Sequence, residues 1–218
     1  MVDSALFPAI RAAIKQNELG NASPYCLSYA RLGQSGASFG IFQGDTNVNP
    51  LARSTLTAVL NAAGIAAATV ASIIAAVSRP LPNGNPLSPN DTGLVNAALA
   101  SSLGQPIVDQ MDAQLMQTVL KGIDSCTAAS AARPIDPEAQ LYIALWVNMT
   151  GAPTTLAKWL AGTAVSGLVP PNGATVSAAD LQNYLLASAY FRNNPKNFPH
   201  MQSSVAAGVA LLPAAATV

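Results

Sequence analysis

The chain has 218 residues, half of them hydrophobic and only 9% charged, with Lys+Arg and Asp+Glu balanced at ten each. Such a composition buries an extensive core and excludes a disordered chain. Zero net charge provides no broad basic field, so no nucleic-acid partner is expected.

The first residues, Met1 to Pro8, carry no basic segment followed by an apolar run, so no secretory signal is expected. Residues 3–17 place Leu6, Ile10, Ala13 and Ile14 on one face and Arg11 and Lys15 on another, which predicts a helix. Asp3 or Ser4 can cap it, Glu18 lies at its end, and Leu19-Gly20-Asn21 stops it. Ser23-Pro24 predicts a second short helical turn through Tyr25, Leu27 and Tyr29. Residues 33–49, rich in Gly, Ser, Asn and Asp, read as a loop or small hairpin closed by Asn49-Pro50. Only around Ser38 to Phe42 is there a hint of a strand.

From Leu51 to Ser78 the only charge is Arg53. The stretch is rich in Ala and Thr and contains Asn61 and Gly64, too polar per residue for a membrane span. Two helices meeting at Gly64 are expected, and no integral membrane segment. Residues 79–90, with four prolines, read as a surface loop, and Asn90-Asp91-Thr92 as a helix cap. Pro106 is expected to start a long helix to about Ala129, with Ile107, Met111, Leu115, Val119 and Ile123 spaced for burial. Further helices are predicted from Asp136-Pro137-Glu138, over 154–162, from a Ser177–Asp180 cap to about Phe191, and over 200–212. A turn falls at 149–153. The class is mainly α, in one domain spanning 1–218.

Cys26 and Cys126 read as two buried free thiols, and no Cys/His spacing suits a metal, so neither metal nor cofactor is expected. His200, the only histidine, reads as a surface or helix-start residue. Trp146 and Trp159 read as core.

The carboxylates are few. Glu138 sits in a first helical turn, where the dipole favours an anion, and reads as structural. Asp91, Asp136 and Asp180 read as caps, and Asp109, Asp112 and Asp124 as solvated helix faces. Glu18 is at a helix C-terminus, where the dipole disfavours the anion and should raise the pKa, as an acid catalyst requires. Its plain alternative is a solvated surface carboxylate. Asp45, in Gly44-Asp45-Thr46-Asn47, is ordinary turn chemistry unless it has a second role.

Ser38-Phe39-Gly40-Ile41-Phe42-Gln43, about twenty residues after Glu18, resembles the Gly-Leu-Met-Gln signature of lytic transglycosylases and goose-type lysozymes. Gln43-Gly44-Asp45 is similar to the goose-type ending Gln-Val-Asp. Downstream, Ala144 to Gly151, followed by Leu156 to Leu160, resembles the family's Ala-Tyr-Asn-Ala-Gly segment and its Trp-Leu helix, with Asn148 on the family's Asn. Leu19 stands where the family has Ser, and Trp146-Val147 replaces Ala-Tyr. The match covers residues 10–50 and 140–162.

The resemblance implies a lysozyme-like domain with a small loop or β-hairpin beside an active-site cleft. It implies a muramidase that hydrolyses the β-1,4 bonds of peptidoglycan glycan strands. Glu18 would be the general acid, and Asp45 would orient water in an inverting reaction. Ser38, Gln43 and Asn148 would line the sugar site. Tyr29, with Tyr25, would either stack on sugar rings or simply pack. The alternatives are a lytic transglycosylase giving anhydro-muramyl products, a chitinase or chitosanase, or an inactive glycan-binding protein. Action at the periplasm or cell wall without a visible signal suits a delivered toxin, which would come with an immunity protein plugging its groove, or a phage protein.

Overall fold

The structure, a computed structural model, describes residues 2–130, 133–151 and 153–213. Ala152, within the turn expected at 149–153, lies outside the described residues. A 3-10 turn, Ser4–Leu6, leads into α1, Phe7–Leu19. Three short strands follow: β1 (Ser28–Tyr29), β2 (Ala37–Phe39) and β3 (Gly44–Asp45). The remaining elements are helices: α2 (Pro50–Ala62), α3 (Ala67–Val77), α4 (Pro89–Ala100), α5 (Gly104–Ala129), α6 (Pro137–Thr150), α7 (Thr154–Leu160), α8 (Ala178–Ala187), α9 (Ala189–Asn193) and α10 (Asn197–Val209). The protein is thus mainly α with one small antiparallel sheet. No described helix is long and apolar enough to cross a membrane.

The chain divides into two compact units, one of Met1–Gly20 and Met116–Val218, the other of Asn21–Leu115. In the first unit α1 packs on α6 and α10, and α6 also packs on α8. The middle of α6 is buried from Leu141 to Leu145, so it is the central helix of this bundle. Gly208 of α10 admits a close approach to α1: a Cβ there would lie 2.7 Å from the Ala9 carbonyl oxygen. Asp3 accepts from the Ala5 amide to start the first turn, and Gly20, at φ 55°, ends α1 by donating its N–H to Gln16 O.

In the second unit the sheet order is β1-β2-β3, with Ser28 opposite Ser38, and Ser38 opposite Asp45. Phe39, Leu56, Leu60, Val77, Leu99 and Met111 form its core with their neighbours on α2, α3 and α4. Asn49 caps α2 through the Leu51 amide, and Pro50 stands at its first position.

Several expectations need correction. Tyr25 to Tyr29 is not a helical turn. The Pro24 carbonyl accepts from the Gly40 amide (2.8 Å), Leu27 N donates to Asn96 Oδ1 (2.9 Å), and Ser28-Tyr29 becomes a strand. The cap of α4 is Ser88, not Asn90, because the Ser88 hydroxyl accepts from the Asp91 amide. Asp136 occupies the N-cap position of α6 without a side-chain cap bond. The helix expected up to Phe191 breaks at Ser188, whose extended backbone ends α8 and whose hydroxyl accepts from Phe191 N to start α9. The last helix begins at Asn197, three residues early, because Pro199 fits a first turn where no N–H is needed. Cys26 is only half-buried, whereas Cys126 is buried; both are free thiols.

Candidate functional site

Glu18 is the penultimate residue of α1 and is half-buried. Its Oε1 accepts two side-chain amides, Asn148 Nδ2 at 2.9 Å and Asn17 Nδ2 at 3.0 Å. No donor among the described residues reaches Oε2. Both bonds favour the anion, as does the charge of His200, yet the pKa is raised above the ordinary value. Burial is the largest cause and outweighs the three opposing effects. The direction is the one expected from the helix end, but desolvation accounts for it.

His200, in the first turn of α10, has Nε2 2.9 Å from the Asn17 carbonyl oxygen. A carbonyl can only accept, so that nitrogen carries a proton. Asn17 therefore links the histidine and the glutamate, through its backbone oxygen and its side-chain amide. Glu18 lines a cavity of about 280 Å³ with Asn17, Met149, Tyr190, Asn197 and His200 among its other walls. Sequence reading missed His200 as a neighbour of Glu18. The available signal was that His200 is the only histidine and opens a helix.

Tyr29, Ser38, Gln43 and Asp45 all lie on the sheet and turn of the second unit. Asp45 Oδ1 accepts from the Gly36 (3.1 Å), Asn47 (2.7 Å) and Val48 (3.3 Å) amides, and Oδ2 is also 3.1 Å from Gly36 N. The carboxylate thus closes its own hairpin. Gln43 has left-handed backbone (φ 49°). Its Nε2 donates to Gly40 O (3.0 Å), and its Oε1 accepts from the Ser28 hydroxyl. Ser38 is buried at the centre of the sheet. The Tyr29 hydroxyl is buried with no hydrogen-bond partner among the described residues, and burial pushes its pKa up to about 12. Tyr25 donates its hydroxyl proton to Asp109 Oδ1 (3.0 Å).

Asp112 is a correction. It is not on a solvated face but 3% exposed, and its carboxylate accepts from Ile41 N (2.9 Å) and Phe42 N (3.3 Å). It therefore holds the turn that carries the signature-like segment. The same packing explains Gly40, at φ 79°: a Cβ there would lie 2.6 Å from Asp112 Oδ1. Asp109 is tied to Tyr25 and Asp124 is half-buried, so neither is simply solvated. Trp159 is core, 2% exposed, but Trp146 is only half-buried and rests against Tyr190 and Phe191.

The arrangement at Glu18 is suited to proton donation. Burial favours the protonated form of this carboxyl, and with one oxygen fixed by two amides the other is placed to carry a proton. Among the described residues no group of three or more His, Cys, Asp or Glu is placed to hold a metal. No family model, curated protein or solved structure matches the chain.

Proposed function

We propose that the chain is a lysozyme-like glycosidase that cleaves the β-1,4 bond between N-acetylmuramic acid and N-acetylglucosamine in peptidoglycan, with Glu18 as general acid. The observation that carries this reading is the Glu18 carboxyl itself, raised in pKa by burial and gripped on one oxygen by Asn17 and Asn148. Glycosidic cleavage requires a protonated carboxyl beside the leaving oxygen. The likeness of residues 10–50 and 140–162 to the lytic transglycosylase and goose-type lysozyme group supports the substrate, and that substrate sets the cell wall as the place of action.

The attacking group distinguishes two versions. Water attack needs a carboxylate base, the role the resemblance gives to Asp45. The engagement of Asp45 with three backbone amides of its own hairpin favours the other version. In it the bond to the leaving oxygen breaks first, leaving an oxocarbenium-like C1, and the hydroxymethyl oxygen of the muramyl ring then bonds to C1 from the face the leaving oxygen vacated. Glu18 gives its proton to that leaving oxygen and takes one back from the attacking hydroxyl. The product is an anhydro-muramyl end, and no second carboxylate is required.

Mass spectrometry of fragments released from purified sacculi tests both levels. An anhydro-muramyl end supports the internal attack, and a reducing muramyl end supports hydrolysis. Sacculi left intact at the glycosidic bonds would contradict the proposed function.

A further inference from the structure

Tyr190, which lines the Glu18 cavity, also lines a second cavity of about 290 Å³ in the same unit. Its other walls include Trp146 of α6, Tyr184 and Ser188 at the end of α8, and Ser166 and Leu168 of the preceding loop. None of the lining residues is charged.

Two aromatic side chains, Trp146 and Tyr190, give the cavity its character. Trp159 is buried and donates its indole N–H to Val169 O (3.1 Å). Trp146 is half-buried in the cavity wall, and its indole N–H has no acceptor among the described residues. That nitrogen is not sealed inside the protein, so its N–H is open to an acceptor from solvent or a ligand. Tyr190 is 38% exposed and has three side-chain partners. It stands edge-on to Phe191 (4.9 Å, 88°) and Trp146 (6.4 Å, 70°), and its hydroxyl accepts from Asn197 Nδ2 (2.9 Å). An exposed aromatic fixed on three sides is a stacking platform. Ser166 (φ 51°) and Gly167 (φ 79°) form the two-residue turn between the paired Val165 and Leu168, which holds this wall in place.

We propose that this cavity is a subsite for one neutral N-acetylated hexosamine ring, next to the ring cleaved at Glu18. The inference rests on the glycosidase reading for its substrate class. A pyranose offers an apolar C–H face to an aromatic wall, and its acetamido carbonyl accepts from an indole N–H. The volume lies at the lower limit of small-molecule pockets, roughly 300 Å³, which suits one ring rather than two. A cavity sized for one ring favours N-acetylglucosamine, which lacks the bulky lactyl substituent of the muramyl sugar.

The test uses the full chain carrying Glu18→Gln, titrated with the β-1,4 trimer of N-acetylglucosamine and followed by tryptophan fluorescence. Trp159 is buried and already paired, so a ligand-dependent signal reports on Trp146. A saturable change is expected, absent in a Trp146→Phe protein of unchanged circular dichroism. Tyr190→Ala should weaken binding by about tenfold, the worth of one aromatic stacking contact, and serves if Trp146→Phe does not fold. No saturable change while the wild-type chain cleaves sacculi overturns the subsite and leaves the glycosidase reading standing. A saturable change that survives Trp146→Phe also overturns it. A saturable change weakened in Tyr190→Ala, which keeps the Trp146 reporter, with no cleavage by the wild-type chain, supports the subsite and overturns the glycosidase reading.

Discussion

Asn148 Nδ2 donates to Glu18 Oε1 over 2.9 Å, joining residues 130 positions apart. The bond ties the central helix α6 to the end of α1 and fixes one oxygen of the carboxyl. It stabilises the anion, so it also limits how far burial can raise the pKa. Asn148→Ala should therefore raise the pKa of Glu18 further. A general acid loses activity as pH rises through its pKa, so the alkaline limb of the pH–rate profile should move to higher pH. Loss of positioning should lower the rate at the optimum by about tenfold, the equivalent of one hydrogen bond to a charged group. A limb shifted toward acid would contradict this assignment.

Glu18 should also make stability depend on pH. Its folded pKa lies above the ordinary value of 4.5, so folding favours the protonated form. Ionisation is then easier in the unfolded chain. Stability is lost as pH rises from about 4.5 through the folded pKa and stays lowered above it. Glu18→Gln removes that penalty and keeps an oxygen for Asn17 and Asn148. Thermal melts should show the variant more stable than wild type at pH 7, with the difference shrinking below pH 4.5. A variant less stable at pH 7 would contradict the raised pKa.

Asp112 should matter for stability out of proportion to its sequence signal. Asp112→Ala leaves the Ile41 and Phe42 amides buried without their acceptor. The expected cost is about 2–5 kcal/mol in chemical denaturation. Gly40→Ala should destabilise the same turn, since its Cβ would meet both Asp112 Oδ1 (2.6 Å) and Met111 Cε (2.7 Å) at φ 79°. Wild-type stability in both variants would contradict the packing described.

Asp45 provides the test of the attacking group. Removing a general base costs about 10²–10⁴-fold in rate. If internal attack operates, Asp45→Asn should lose less than about 10²-fold, because the residue then serves only its hairpin. The comparison is made at a temperature where circular dichroism shows the variant folded. A loss of 10³-fold or more with intact fold would return Asp45 to the chemistry.

What the sequence disclosed follows from the range of the interactions. Asn49-Pro50 and Ser177 with Asp180 are local signals, and the helices they cap were readable. Even the 62–67 break between α2 and α3 follows from residues beside it. β1 was not readable, since two residues carry no period and their pairing with β2 comes from ten positions away. Asp112 looked like any helix-face aspartate because its partners lie 70 positions upstream. Glu18 and Asn148 were found separately, through position and resemblance, and the hydrogen bond between them appears only in the fold. His200 carried no motif, and its partner carbonyl at Asn17 lies 183 positions away.

The most direct measurement is the rate at which wild-type protein and Glu18→Gln release soluble muropeptides from purified sacculi. The account predicts cleavage by the wild type and a loss of about 10²-fold or more in the variant, with unchanged circular dichroism. A folded variant that keeps more than about a tenth of the wild-type rate would contradict Glu18 as the general acid.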